Sequence, residues 1–357
     1  MVLTLCNPGG MVPAEAVDSV GIDPQANLHD LLMSKGASGT AMAAGMSERV
    51  RGRRAPVDVL GGRRGQRIIK AAREHLDDKD RSADTPSVVL SAWCHASFPH
   101  KLPPADAGPW MVRTDYVTLR VESGTLTDDT GVSRVVGLPY GAYARLICID
   151  WSSQAYNNRS RDIHLGRNLV DTMRRLGLPK GGKTWQQLLD QAERLAACHL
   201  TFNIHSKGKG RSGFINQTIV DTAVFSEAQK GGRFVERIRL SEGFFQQIMQ
   251  HPVAIDPLSI KAIRNSPMAI DIYCWLAFRL LAVTADTTIS WAALKAQFGT
   301  GYAAMRNFKT QFAECLLLAK GVYFGARADL SEHGITLRPS PPPAKLAHPS
   351  RCQQALL

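Results

Sequence analysis

The stretch NLVDTMRRLGLPKGGKTWQQLLDQAERL, residues Asn168–Leu195, decides which of two folds this chain adopts. Its central residues, Gly177–Thr184, match the phosphate-binding loop pattern G-x-x-x-x-G-K-[ST], in which backbone N–H groups and the lysine surround a phosphate. A loop of this kind follows a buried, continuously hydrophobic strand. The residues before Gly177 instead repeat apolar side chains every three to four positions, which predicts a helix over 167–176. The stretch therefore favours a helix–turn–helix, with a P-loop NTPase as the weaker alternative.

The residues after this helix predict a tight turn, a second helix and a small sheet. Gly177 stands where a helix C-cap belongs and Pro179 follows it, while Thr184 and Gln187 have the spacing of a capping box. The elements predicted around the turn are a strand over 115–122, a long helix over 140–155, a short strand from 162, a helix over 184–198 and strands over 200–204, 218–225 and 234–240. A basic, glycine-rich loop, Ser206–Gly213, joins two of the strands. This order predicts a winged helix–turn–helix.

A similar order of elements recurs 120 to 126 residues further along the chain, where QFAECLLLAKGVYF from Gln311 echoes QAERLAACHLTF from Gln191. The elements predicted there are a helix starting at Ser266-Pro267, a short strand over 287–289, a helix capped by Ser290 and ended by Gly299, a helix over 302–318 and strands over 321–325 and 334–338. The echo predicts a tandem pair of winged helices.

Together these patterns predict an α+β, mainly helical fold with two tandem winged helix–turn–helix domains. The predicted domains are 87–245, with an N-terminal strand extension, and 246–338, joined by a helix over 242–250 and a linker marked by Pro252 and Pro257. Residues 1–86 lack sustained periodicity and are expected to be mostly disordered apart from a short helix over 66–76. The proline-rich tail, 339–357, is also expected to be disordered.

The charge of the chain predicts a polyanionic partner. The formal net charge is +12 and the isoelectric point is about 9.5. Residues 1–110 hold 13 Lys and Arg against 12 Asp and Glu, whereas residues 111–357 hold 30 against 19. Because the excess lies in the part with periodic elements and not in a basic tail, we expect a folded surface that binds nucleic acid or an anionic membrane surface.

Metal, disulfide, membrane and catalytic patterns are weak. The seven cysteines include no C-x-x-C pair, so we expect neither a disulfide framework nor a metal site, and we expect no cofactor. The longest apolar stretch, Met268–Val283, is interrupted by Asp271 and Arg279, so no membrane span is predicted. No H-x-H pair accompanies a tyrosine and no G-x-S-x-G is present, so we expect no enzymatic activity. These features fit a protein of the reducing cytoplasm.

The candidate DNA-binding residues lie on the second helix of each unit and in the loops. The expected base-reading residues, on the polar face of the helix over 302–318, are Arg306, Asn307, Thr310 and Gln311. The expected phosphate contacts are Lys207, Lys209, Arg211, Lys309, Arg327, Gln187 and Arg194. Asp190 and Glu193 are expected on the outward side of the first unit's helix, where they would repel phosphate. That face therefore stays open between DNA and a protein partner.

Five segments in order resemble the plasmid RepA-type replication initiators, and the resemblance extends over about residues 92–338. These segments are FPHK (Phe98–Lys101), GLPYGAYARLI (Gly137–Ile147), RDIHLGRNLVDTMRRLGL (Arg161–Leu178), the Gly181-Gly182 pair and QLLDQAERL (Gln187–Leu195). Such initiators are similar in having tandem winged helices. The resemblance implies that the second domain binds repeated origin sites, called iterons, in double-stranded DNA, and that the first contributes to dimerisation and backbone contacts.

The resemblance further implies partners and regulation. It implies recruitment of a host helicase and a DnaA-like initiator, a homodimer in equilibrium with monomer, repression of the protein's own gene, and no enzymatic activity. Residues 1–86 carry none of the segments that support it. A winged-helix transcriptional repressor without a role at an origin is the main alternative, because both functions need only site-specific binding.

Overall fold

A computed structural model describes residues 62–77, 85–104, 106–114, 117–127, 130–164, 169–205, 212–227 and 233–346. In chain order, the helices of these ranges are α1 (Gly62–Asp77), α2 (Ser91–His95), α3 (Gly141–Asn158), α4 (Leu169–Arg175), α5 (Gly182–Ala197), α6 (Glu242–Gln250), α7 (Pro257–Ile263), α8 (Pro267–Ala282), α9 (Trp291–Phe298) and α10 (Met305–Lys320). The strands are β1 (Ser87–Leu90), β2 (Trp110–Arg113), β3 (Val117–Glu122), β4 (Thr125–Thr127), β5 (Ser133–Val135), β6 (Asp162–His164), β7 (His199–His205), β8 (Ser212–Thr218), β9 (Val220–Glu227), β10 (Arg233–Leu240), β11 (Pro252–Ile255), β12 (Thr287–Ser290), β13 (Ala328–Leu330) and β14 (Gly334–Leu337). The fold is thus mixed helix and strand.

The turn after α4 shows that a helix, and not a strand, precedes the phosphate-loop pattern. Gly177 has φ +64°, the left-handed conformation that glycine adopts without strain. Its N–H donates to Arg174 O at 3.0 Å, and the Leu178 N–H donates to Met173 O at 2.7 Å. These two bonds form a Schellman cap, which satisfies carbonyls at the end of α4. The context that a phosphate-binding loop needs is therefore missing at Gly177.

The start of α5 differs from the predicted capping box. The helix begins at Gly182, and Gly181 is its N-cap, without a side-chain cap hydrogen bond. Thr184 is buried in the first turn, so the prediction that it caps the helix is wrong. The physical reason is the Gly181-Gly182 pair, which lets the chain turn into the helix two residues before the first residue with a capping side chain.

The first unit contains α3, β6, α4, α5, the short antiparallel pair β4–β5 and two larger antiparallel sheets. The strand β6 pairs with β10, which also pairs with β9, so the first sheet has the order β6-β10-β9. The hairpin β7–β8 leaves that sheet and pairs through β7 with β3, giving the order β2-β3-β7-β8. The strand predicted over 200–204 is therefore confirmed, but it belongs to a sheet that the sequence did not predict.

The second unit repeats the helices and the smaller sheet of the first. Its elements are α8, β12, α9, α10 and the hairpin β13–β14, with the strand order β12-β14-β13. Ile163 on β6 pairs with Ile238 in the first unit, and Ile289 on β12 pairs with Ile335 in the second. Ile163 and Ile289 thus occupy the same place in both sheets.

The two units share one continuous core. Strand β1 pairs antiparallel with β11 over the register Ser87↔Ile255 to Leu90↔Pro252, and helix α8 packs against α2 and α3. At this junction Arg145, only 4% exposed, donates to both carboxylate oxygens of Asp271 at 2.7 Å. Burial by itself would raise the pKa of the Asp271 carboxyl, yet Arg145 and His100 outweigh burial and hold that pKa below its usual value.

Three other predictions differ from the structure, and a fourth agrees with it. The stretch expected as a linker forms β11 and α7, both buried, and Asp256 caps α7 by accepting from Leu258 and Ser259 N–H. No strand forms over 321–325, where the chain turns after α10 and buries Val322 and Tyr323. The tail over 339–346 lies against the fold, because Tyr323 donates to Pro341 O at 2.7 Å. The short helix expected within 1–86 is α1, and residues 1–61 and 347–357 lie outside the described ranges.

Candidate nucleic-acid interface

Helix α10 has one polar, exposed face and one fully buried face. Arg306, Asn307 and Thr310 are exposed, while Phe308 and Phe312 on the opposite side are 0% exposed. Gln311 lies at the edge, half-buried, and its amide donates to Cys315 Sγ at 3.3 Å. The predicted base-reading residues therefore lie on one surface, with Gln311 partly withdrawn from it. Arg, Asn and Thr side chains presented by a helix have the donors and acceptors that read base edges in a major groove.

An aromatic cluster fixes the orientation of α10. The rings of Phe308 and Phe312 lie 5.5 Å apart, and Phe298 and Trp291 on α9 lie 5.5 and 5.8 Å from the Phe312 ring. Edge-to-face and tilted packing at these distances stabilises each aromatic pair by about 0.5–1.5 kcal/mol beyond area burial. The exposed face of α10 is therefore held on a rigid support.

The start of α10 is open to an approaching ligand, and Lys309 borders it. Ala303 and Ala304 are exposed and small, and Ala304 provides no side-chain cap hydrogen bond. The Lys309 ammonium lies 4.9 Å from the centre of the Trp291 ring, a cation–π geometry that keeps the charge beside the helix. Lys309 therefore stands on the flank of the exposed face, where a phosphate contact was predicted.

The hairpin β13–β14 carries both signs of charge. Arg338 binds Asp329 and Asp286, and Lys320 donates to Ala328 O at 2.8 Å and to Asp329 at 3.2 Å. Burial alone would raise the pKa of Asp329, but Lys320 and Arg338 lower it below its usual value. Arg327, just before β13, is exposed and remains a phosphate-contact candidate.

Helix α5 of the first unit exposes a shorter polar face near its start. The exposed residues there are Lys183, Gln186 and Gln187. Gln187, a predicted phosphate contact, is therefore accessible to DNA. The sequence did not single out Lys183 and Gln186 for DNA, although both follow the glycine pair.

Further along α5, Arg194 is committed to the protein itself. Its side chain is 17% exposed, its Nε lies 2.9 Å from Asp190 Oδ1, and its Nη1 donates to Leu138 O at 3.1 Å. The guanidinium also lies over the Tyr140 ring at 5.3 Å. Glu193, expected to face outward, is buried and forms an ion pair with Arg134, so that expectation is wrong. Arg194 therefore supports the helix, and the proposed interface omits it.

Two exposed cations of the first sheet were missed, and three predicted ones fall outside the described ranges. Arg237 and Arg239 on β10 are exposed and alternate with buried Ile238 and Leu240. The alternation in FVERIRL could have identified them, because strand residues two apart share a face. The predicted phosphate contacts Lys207, Lys209 and Arg211 lie in 206–211, which the structure does not describe.

Buried thiols and histidines have a structural character. Burial raises the pKa of Cys198 to about 12 and raises those of Cys148 and Cys274 further, so these thiols stay protonated and unreactive at neutral pH. Burial, with a smaller contribution from Arg279, lowers the pKa of His95 to about 4. Within the described ranges, no group of three or more His, Cys, Asp or Glu side chains is placed to hold a metal ion. None of the helices in this part of the chain is both long and apolar enough to cross a membrane.

Comparison with known proteins finds a matching family model and distantly similar solved structures, including two of RctB domains 2 and 3. The chain is similar, at TM-score 0.42 and 9% identity, to a crystal structure of selenomethionine derivatives of domains 2 and 3 of RctB, with 69% of this chain and 96% of that chain covered. A second structure of RctB domains 2–3 gives TM-score 0.38 and 10% identity, with 66% and 92% covered. No curated protein sequence matches the chain. Residues 138–293 match the family model described as plasmid encoded RepA protein, which confirms the resemblance seen in the sequence.

Proposed function

We propose that this protein initiates plasmid replication by binding double-stranded DNA at repeated origin sites. The observation that carries this proposal is the exposed face of α10, where Arg306, Asn307 and Thr310 stand together above a rigid aromatic support. Phosphate contacts fix a protein on DNA, whereas side chains at base edges give sequence specificity. A helix that presents three such side chains on one exposed face suits the second task.

The topology supports two winged helices in tandem. In each unit a helix, a short strand and two helices precede a hairpin whose second strand pairs with that short strand, although β7–β8 intervenes before this hairpin in the first unit. We assign α5 and α10 as the two helices that approach DNA. The family model ends at residue 293, before α10 begins, so the base-reading assignment rests on the geometry of α10 and not on the family.

The charge distribution supports a polyanionic partner. The elements that we assign to DNA binding carry four exposed cations, Lys183, Arg237, Arg239 and Arg327, and the half-buried Lys309. Binding should therefore weaken steeply with salt, because each phosphate contact releases counterions. We propose no catalytic role, since the one nucleotide-binding pattern follows a capped helix and lacks the strand that a phosphate-binding loop requires.

Partners and regulation belong to the same proposal. By analogy with RepA-type initiators we propose recruitment of a host helicase and a DnaA-like factor, a homodimer in equilibrium with monomer, repression of the protein's own gene and a cytoplasmic, plasmid-associated location. The four-stranded sheet, β2-β3-β7-β8, provides an exposed surface in the first unit, with Phe214 69% exposed on its edge strand β8. We place the contact between protomers on this sheet.

Footprinting of the DNA that flanks the gene, over a series of salt concentrations, tests the proposal. Protection of several direct repeats that weakens steeply with salt would support an iteron-binding initiator. Protection of a single inverted repeat over the promoter would favour the repressor, and loss of the gene should then leave a plasmid with this origin able to replicate. Salt-sensitive binding without a preferred site would contradict the assignment of α10 as a base-reading helix.

A further inference from the structure

Helix α1 is amphipathic, and its polar face is strongly basic. Its sequence, GRRGQRIIKAAREHLD, contains five Lys or Arg residues and two acidic ones. The apolar side is buried, with Ile68 and Ala72 at 0% and Ala71 at 4% exposure. Lys70 and Arg73 lie on the opposite, exposed side. Apolar packing therefore fixes the helix on the fold and leaves its basic face in solvent.

The buried side of α1 packs against α7 and the second half of α10. Arg67 Nη1 lies 3.7 Å from Glu314 Oε1 on α10, and a Cβ placed on Gly321 would lie 3.6 Å from Ile68 Cγ2. Arg264, which follows α7, lies 3.4 Å from Glu74 Oε2 and ties the other side of the helix. The same helix that exposes the base-reading residues therefore carries α1 on its later turns.

The position of α1 along α10 brings its charges close to the reading face. Glu314 follows Thr310 by four residues, so the two side chains lie on one side of α10, about 6 Å apart along its axis. Lys70, 75% exposed, and Arg73 extend outward from the helix that covers Glu314. Glu74, which follows Arg73, already binds Lys70 at 3.6 Å and Arg264 at 3.4 Å.

We propose that α1 is a phosphate clamp, which binds the sugar–phosphate backbone beside the groove that α10 enters. The proposal rests on the proposed function, since it takes α10 as the reading helix. A basic face that only keeps a helix in solvent could lie anywhere on the fold. The basic face of α1 is instead held beside α10 by the Arg67–Glu314 ion pair and by the buried side chain of Ile68. Duplex DNA is the partner that matches the positive charge of α1. Its phosphates border both sides of the groove that α10 would enter, next to the helix that packs beside α10.

The double variant Lys70→Gln/Arg73→Gln tests the clamp against the matched control Lys101→Gln/Arg113→Gln. Each variant removes two exposed positive charges, and neither removes Arg67, whose loss would leave Glu314 buried without this partner. The measurement is the affinity of the full chain for its footprinted site and for a scrambled duplex of equal length, between 0.05 and 0.3 M salt. Circular dichroism melts of all three proteins confirm that they are equally folded.

The clamp predicts a change in the salt dependence without a change in specificity. Because the α1 variant removes two cations that bind phosphate, the slope of log K against log salt should fall by about 1.8, which corresponds to about thirtyfold weaker binding at 0.15 M salt. The ratio of affinities for the site and the scrambled duplex should stay within about twofold of the wild type, because phosphate contacts carry no sequence information. The control variant should change the slope by less than about half a unit.

Three results would overturn the clamp. Equal losses in both variants would show an effect of net charge alone, and an unchanged slope in the α1 variant would show that no phosphate lies there. Loss of binding to vesicles with anionic lipid, combined with an unchanged DNA slope, would assign the face to a membrane surface. If the wild-type chain itself lacks site-specific binding, the proposed function fails first, which separates the two failures.

Discussion

Replacing Asp271 by Asn should destabilise the whole chain, because Asp271 carries the charge that balances Arg145 at the junction between the two units. Arg145 uses Nε and Nη2 for the two carboxylate oxygens, each at 2.7 Å, and His100 Nε2 lies 2.8 Å from Oδ2. The remaining guanidinium N–H groups donate to main-chain oxygens, among them Phe98 O at 2.6 Å and Gly141 O at 2.8 Å. The ion pair thus joins α3, α8 and the loop before α3.

The magnitude follows from what an Asn can and cannot replace. An Asn at position 271 keeps one oxygen for Arg145 Nε but turns an amide N–H₂ toward two other donors, Arg145 Nη2 and His100 Nε2. Hydrogen bonds to charged groups contribute about 1.5–3 kcal/mol each, and removing one partner of a buried ion pair costs about 3–5 kcal/mol. We expect Asp271→Asn to lower the free energy of unfolding by about 3–5 kcal/mol.

Urea unfolding at pH 7, followed by circular dichroism, measures this loss as a lower midpoint. The matched control is Asp286→Asn, which weakens the exposed contact of Asp286, 63% exposed, with Arg338 Nε at 3.1 Å. Exposed ion pairs contribute about 0–1 kcal/mol, so the control should change stability by less than about 1 kcal/mol. An Asp271→Asn variant within about 1 kcal/mol of the wild type would refute this account of the junction.

Three further predictions concern DNA binding, the glycine-rich turn and acid stability. Arg306→Ala should weaken binding to the footprinted site by about 1–3 kcal/mol and relax one base position, as measured with a set of single-base variants of the site; normal binding would refute the base-reading role. Lys183→Ala should lower the slope of log K against log salt by about one unit. If the wild type hydrolyses ATP and Lys183→Ala abolishes this activity, the helix–turn–helix interpretation is wrong. Because the pKa of His95 is lowered to about 4, against about 6.5 in an unfolded chain, its contribution to stability should be complete above pH 6.5 and be lost as pH falls toward 4. A urea midpoint that stays constant between pH 7 and 4.5 would contradict this.

Local signals predicted the helices well, because periodicity and caps act over a few residues. Ser290 accepts from Ala293 N–H and caps α9, which ends before Gly299, as the sequence predicted. The helix over 242–250 is observed with the predicted bounds. The exposed polar stripe of α10 was also predictable, since Phe308 and Phe312 mark its buried side at a spacing of four residues.

Strand partners could not be predicted from the sequence, because pairing joins residues far apart in the chain. GVYFG, which follows α10, has the composition of a strand, but Val322 and Tyr323 are buried in a turn that continues from the helix. The pairing of β7 with β3 depends on residues about 80 positions apart, from Val117↔Ile204 to Glu122↔His199. Each segment alone shows only that it can form a strand, and the choice of sheet is tertiary.

The stretch after α6 contains two prolines that the sequence analysis assigned to a linker, whereas in the structure each begins a regular element. Pro252 and Pro257 marked a linker in the sequence, because proline lacks an N–H for sheet or helix hydrogen bonds. In the fold Pro252 is the first residue of β11, opposite Leu90, and Pro257 is the first residue of α7 after the cap Asp256. Both are positions where the missing N–H costs nothing. The two prolines therefore begin β11 and α7, two elements that join the units. The sequence suggested a linker between separate domains, but the two units share one hydrophobic core, which holds α10 in place relative to the first unit.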